Sequence, residues 1–176
     1  MPPRAACLYR RPGTRTALAP GERRRVPRFR RPQSQGAGRA VTYLADTSAV
    51  RRLLRGQLGA PWPDRVTRGL VALCPPVESE LMPGLRADRD YEPFFTMLGQ
   101  SFGRVPAIDD PWPKIIQVQR DLVKIGHHRD PSPLDILIAL TAEHHGLTLL
   151  HVDDDFASIA KVRPDLSLVR GQQPSL

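Results

Sequence analysis

Acidic residues stand directly behind the apolar runs of this sequence. Asp46 closes "TYLA" and is followed by Thr47 and Ser48; Glu78 and Glu80 lie in "PPVESEL", behind "LVALC". Asp135 heads "ILIAL", and Asp153, Asp154 and Asp155 follow "LTLLHV". Carboxylates with no cysteine beside them are hard-oxygen donors, suited to Mg2+ or Mn2+. Completed by water and a substrate phosphate, such a site supports in-line hydrolysis of a phosphodiester. The ion lowers the pKa of its water and screens charge at the scissile group. Thr47 or Ser48 could hydrogen-bond a carboxylate, a water or a phosphate oxygen.

Each acid also has a plainer role. Asp46 is a good N-cap for a helix starting at Thr47. Asp135 could be a first-turn acid favoured by the helix dipole at about 0.3–1 kcal/mol. Its apolar neighbours Ile136 to Leu140 suggest a helix buried on most sides, where an unpaired carboxylate would cost several kcal/mol. The run 153–155 could cap the last helix, although three adjacent like charges repel and a cation would relieve them. Glu78 and Glu80, two apart on a helix, point in different directions, so only one of them can face a shared site.

Positioning these acids requires alternating strands and helices. A strand at 42–45 leads into a helix from Thr47 to about Arg55. Prolines at 61 and 63 break the chain before a helical stretch around 64–70. A strand at 70–74 feeds a helix opening at Pro75-Pro76, where proline is tolerated. Pro83 should kink or end that helix. Helices are expected at about 88–100 and 112–125, the latter stopping at Gly126, with an extended piece at 102–108 between them. A proline-started helix runs through "PLDILIAL" to a Gly146 cap. A buried strand at 147–152, a helix at about 155–162 and an extended piece at 166–169 complete the chain. Alternation of this kind predicts an α/β fold: three layers, α/β/α, around a central parallel sheet. Ligands of such sheets gather beyond the carboxyl ends of the strands, the edge on which these four segments place their acids.

The 176 residues suit one domain with a real core. The net charge of +8 is unevenly spread. Residues 1–40 hold eleven arginines against Glu22, a net +10, while the rest holds fifteen basic and seventeen acidic residues, a net −2. The first forty residues, rich in Arg, Pro and Gly, lack periodicity and are expected to be disordered. They read either as a basic arm that binds nucleic acid through phosphates or as residues outside the working protein. In the second case Val41 would mark an alternative bacterial start, and N-terminal sequencing decides between the two. Residues 41–172 form the expected domain. No stretch approaches the about 20 apolar residues of a membrane span, and no secretory signal is evident. Cys7 and Cys74 lack metal-ligand spacing, which fits a soluble chain in a reducing cytoplasm.

These segments resemble the PIN-domain ribonucleases, specifically the VapC-type toxins of bacterial toxin–antitoxin pairs. "YLADTSAV" is similar to the family's opening strand with its first acid. "CPPVESELMPG" is similar to the segment of the second acid, in a register favouring Glu80 over Glu78. "PLDILIALTAEHHGLTLLHVDDDFASIA" resembles the family most. Leu134 stands directly before Asp135 where family members often have proline. The resemblance implies a Mg2+- or Mn2+-dependent endoribonuclease with Asp46, Glu80, Asp135 and Asp153 as catalytic acids. It implies Asp46, Asp135, Asp153 and Asp155 as metal ligands, with Thr47 and Ser48 at the substrate. It also implies an RNA substrate, a cognate antitoxin and a homodimer. Phe94, Phe95, Met97 and Leu98 could line an antitoxin groove, although this spacing is more often core. Arg51, Arg52, Arg55, Arg86 and Arg89 are candidate RNA contacts. His151 is a minor site candidate whose expected role is structural. Two other readings compete. An aspartyl phosphatase of the haloacid dehalogenase type would need a second Asp where Ser48 stands. A PIN-like protein without turnover would hold RNA through the arm.

Overall fold

The structure, a computed structural model, describes residues 41–85, 87–127, 129 and 131–172. The disorder expected for residues 1–40 lies outside the described residues, as does Arg86. Five short strands form one all-parallel sheet: β1 (Tyr43–Ala45), β2 (Val71–Leu73), β3 (Gly103–Arg104), β4 (Thr148–His151) and β5 (Leu168–Arg170). Their spatial order is β3-β2-β1-β4-β5. Successive strand residues face opposite sides of a sheet. Leu44 and Ala45, Val71 to Leu73, and Leu149 and Leu150 are nonetheless all buried. Both faces are therefore covered, as the predicted three-layer architecture requires.

The covering helices are α1 (Thr47–Leu54), α2 (Trp62–Thr67), α3 (Pro75–Leu81), α4 (Tyr91–Ser101), α5 (Pro111–Lys124), α6 (Pro133–His144) and α7 (Asp155–Ala160). Helix α6 packs on α3, α5, α7 and β4. Its Ile136, Ile138, Ala139, Leu140 and Ala142 are buried, the all-round burial expected of its composition. It ends as predicted, with Gly146 at φ +62°. The N–H of Leu147 returns to the carbonyl of Ala142 and that of Gly146 to Glu143, satisfying carbonyls that a helix end leaves open.

Boundaries shift where proline is involved. The helix expected at 64–70 begins at Trp62, because Pro63 sits in its first turn, where a missing N–H costs nothing. Pro83 falls in a 3-10 turn, Met82–Gly84, directly after α3 ends. Of the extended piece at 102–108, Gly103 and Arg104 pair with β2 and the Val105 N–H donates to Leu73 O, after which Pro106 has no N–H to continue the ladder. A second 3-10 turn, Asp88–Asp90, precedes α4. Among the described residues no helix is long and apolar enough to cross a membrane.

The strand order carries the functional consequence. The chain steps outward from β1 to β2 to β3, then returns to the other side of β1 with β4 and β5. The direction reverses between β1 and β4, and such a switch point opens a crevice beyond the carboxyl ends of its two strands. Tyr43, Leu44 and Ala45 align with Thr148, Leu149 and Leu150. Asp46 and Asp153 thus leave the sheet on either side of that crevice.

Candidate active site

Asp46 is fixed by both its backbone and its side chain. Its N–H continues the sheet by donating to Leu150 O at 3.0 Å, and its extended backbone opens α1 as the N-cap. Oδ1 accepts from the Ala49 N–H at 2.7 Å and Oδ2 from the Ser48 hydroxyl at 2.7 Å. The residue is only 3% exposed. Among the described residues no lysine or arginine pairs with it. Burial pushes its carboxyl above the usual range, against the opposing pull of the Ser48 and Ala49 hydrogen bonds and the charge of His151. Asp46 is both cap and buried anion, and its two oxygens are satisfied by neutral donors.

The next residue reaches a second acid. Thr47, itself buried, donates its hydroxyl to Glu80 Oε2 at 2.5 Å, joining α1 to the second turn of α3. Arg51 on α1 adds a hydrogen bond to the Glu80 carbonyl at 2.8 Å. The two glutamates of α3 diverge as their spacing predicts. Glu78 Oε1 lies 2.7 Å from Arg104 Nε, an ion pair without hydrogen-bond alignment, while Glu80 faces α1.

Behind β4 the loop 152–155 is held from two sides. His151, buried and tilted against Phe156, contacts the Asp153 carbonyl through Nδ1 at 2.7 Å, the structural role expected of it. Arg170, at the end of β5, pairs with Asp154 and reaches the Val152 carbonyl at 3.2 Å. The hydrogen bond from Arg170, and then its charge, hold the Asp154 carboxyl below the usual range. Part of the repulsion within 153–155 is thereby relieved by the protein itself. Asp153 is exposed and accepts from the Asp155 N–H through Oδ1 at 3.3 Å.

Asp135 is half-buried in the first turn of α6. Its Oδ2 accepts from the Ser132 N–H at 2.8 Å, while Ser132 Oγ accepts from the Asp135 N–H at 3.1 Å. This reciprocal capping box was legible in the spacing Ser132-x-x-Asp135, a signal the dipole reading alone did not use. Among the described residues the Asp135 carboxylate is tied to Ser132 and to no other acid.

Hydrogen bonds therefore join Ser48 to Asp46 and, separately, Thr47 to Glu80, and adjacency in the chain sets the two pairs side by side. Asp153 shares with Ser48 a shallow cavity of about 190 Å3 that Arg52, Val152 and Asp154 also line. Among the described residues no three His, Cys, Asp or Glu side chains converge as ligands of one ion. Asp46, Asp135 and Asp153 instead take donors from their own segments, and Glu80 takes one from α1. The chemistry of the set still suits a hard divalent cation: it is all oxygen, and the Asp46 charge is buried with no basic side chain paired to it. Of the suggested groove residues, Leu98 is buried, and Phe94, Phe95 and Met97 pack half-buried against the core.

A parallel sheet of this order, with carboxylates behind the strands at its switch point, defines a class that comparison with known proteins makes explicit. The PIN-domain family profile matches residues 43–162, and the chain belongs to that family. Among its relatives, Ribonuclease VapC2 of Mycobacterium tuberculosis (strain CDC 1551 / Oshkosh) is 39% identical over 125 residues, covering 67% of this chain and 84% of that protein. Ribonuclease VapC21 of the same strain is 31% identical over 120 residues, covering 68% and 87%. The crystal structure of FitAcB from Neisseria gonorrhoeae matches at a TM-score of 0.51 and 26% identity, covering 72% of this chain and 96% of that one. DNA-bound VapBC from Salmonella typhimurium matches at a TM-score of 0.58, covering 74% and 98%; at 15% identity that likeness concerns the fold.

Proposed function

We propose that this chain is a divalent-metal-dependent endoribonuclease and the toxin of a type II toxin–antitoxin pair. The observation that carries this reading is the placement of Asp46 and Asp153 beyond β1 and β4, one on each side of the switch-point crevice. Family membership and relatives named as ribonucleases support it.

In this reading Asp46, Asp135, Asp153 and Asp155 would hold Mg2+ or Mn2+ once drawn closer than they stand here, where among the described residues no three acids converge. When bound, that ion supplies a more acidic water and charge neutralisation at the scissile phosphate. The chain's own residues do the positioning. Ser48 and the Ala49 N–H orient the Asp46 carboxylate, and Thr47 fixes Glu80 through Oε2. Glu80 Oε1 is then left to accept a proton from the attacking water, which makes Glu80 the general base.

In this reading residues 41–172 are the catalytic domain and 1–40 a basic arm. RNA is the substrate, two copies of the chain assemble, and a cognate antitoxin holds the enzyme silent in the cytoplasm. The fold is shared with VapBC-5 from Mycobacterium tuberculosis, a member of a family of toxin–antitoxin systems, which is in keeping with an antitoxin partner. The test is incubation of the full chain with total bacterial RNA in Mg2+ or Mn2+, beside an EDTA control. Discrete fragments that EDTA abolishes are expected. Intact RNA under both metals, with folded protein free of antitoxin, would overturn the proposal.

A further inference from the structure

We propose that Arg52 grips the substrate phosphate at the crevice, an assignment that rests on the ribonuclease reading and names a residue for its substrate contact. Among the described residues, the other arginines that meet the acids of this edge are committed, Arg104 to Glu78. Arg51 donates to the Glu80 carbonyl. Arg170 is taken by Asp154 and the Val152 carbonyl. Arg52 is half-buried and lines the 190 Å3 cavity with Ser48, Asp153 and Asp154. Among the described residues it makes no ion pair and no side-chain hydrogen bond.

An arginine beside two aspartates would ordinarily pair with one of them. Asp154 is already answered by Arg170, and the Asp153 carboxylate takes the Asp155 N–H. The five N–H donors of Arg52 are thus available to a third anion entering the same cavity. A phosphodiester fits that vacancy of partners. It carries one negative charge on two non-bridging oxygens, which a planar guanidinium meets with two parallel hydrogen bonds. The Ser48 hydroxyl, bonded to Asp46, forms another part of the same wall. A phosphate held by Arg52 therefore lies between the acid behind β1 and the acid behind β4. Arg52 contacts backbone rather than base, so it supplies affinity and placement without sequence preference.

The test uses the full chain, so the arginines of residues 1–40 are common to every variant. Binding of a fluorescent single-stranded RNA is measured across a salt series in an Asp46→Asn background, and kcat/KM in the native background. Arg52→Ala is expected to make the slope of log K against log salt shallower by about 0.7, one phosphate contact on a single strand. It is expected to lower kcat/KM by roughly tenfold to a hundredfold, the span of a charge-assisted hydrogen bond. Arg52→Lys should keep the slope and recover only part of kcat/KM, because charge is retained and the fork is lost. Arg68→Ala, in the turn that enters β2 at the opposite edge of the sheet, should change neither. An unchanged slope, or kcat/KM within twofold of the parent in a folded Arg52→Ala sample, overturns the assignment. Absence of cleavage by the native chain would overturn the ribonuclease reading instead, and the salt slope still decides Arg52.

Discussion

Thr47→Val removes one hydroxyl and leaves shape and β-branching unchanged, so it isolates the hydrogen bond that joins the first two acidic segments. That bond is short, 2.5 Å between Thr47 Oγ1 and Glu80 Oε2, and its acceptor is a carboxylate. Hydrogen bonds to charged groups contribute about 1.5–3 kcal/mol. Glu80 is half-buried, so water recovers part of the loss, and the lower half of that range, about 1.5–2 kcal/mol, is expected. In a domain of this size each kcal/mol moves Tm by about 3–5 °C, so Thr47→Val should melt about 5–10 °C below wild type. The same change frees the Glu80 side chain to rotate, and RNA cleavage should fall at least about tenfold if Glu80 acts as the base. Thr47→Ser restores the donor and should recover most of both losses. Thermal melts followed by circular dichroism and initial cleavage rates measure the two effects. A Thr47→Val protein that melts within about 1 °C of wild type and cleaves at the wild-type rate would refute the tie.

Other expectations concern charge. Burial raises the Asp46 pKa in the folded chain, so its contribution to stability is full below the ordinary carboxylate value and is lost as pH rises through the raised one. Asp46→Asn, which can keep the Ala49 hydrogen bond, should therefore be more stable than wild type in urea at pH 7 with EDTA, and equal to it near about pH 3; a variant less stable at pH 7 contradicts this. Arg170→Ala should return the Asp154 carboxyl from its depressed value toward the ordinary range, read by 13C NMR titration, and an unmoved Asp154 would mean the pair does not form in solution. The Arg163 fork on Glu143, at 2.9 and 2.6 Å, meets a carboxylate side chain only 15% exposed. Arg163→Ala should cost about 1–2 kcal/mol in urea titrations, and a loss under about 0.5 would show the fork to be a surface pair of little worth.

Much of this edge was legible in the residue order because strands, caps and acids are local features. Asp46 behind a buried strand, prolines opening α3 and α6, and Gly146 ending α6 each follow from a few neighbouring residues. The divergence of Glu78 and Glu80 follows from helical geometry alone. What the sequence withheld depends on pairing between distant segments. Nothing near residue 154 announces that Arg170 will neutralise it, since that contact exists only because β4 and β5 lie side by side. Nothing in "SAVRRLLR" separates Arg51 from Arg52 until the return of β4 beside β1 places Asp153 and Asp154 next to one of them. The Ser132–Asp135 box was local and readable, yet an acid at a helix start satisfies several rules at once. At Pro63 a breaker in sequence became a helix opener, because only the position within a turn decides which effect wins.

The central claim is that the acids at this sheet edge cut RNA. Its most direct measurement is the single-turnover cleavage rate of a defined RNA by wild type, Asp46→Asn, Glu80→Gln, Asp135→Asn and Asp153→Asn in Mn2+, with each variant shown to be folded. A loss of at least about a hundredfold is expected in every variant, the scale of a missing acid–base group, and the same loss for wild type in EDTA. A folded Asp46→Asn protein that cleaves at the wild-type rate would contradict it.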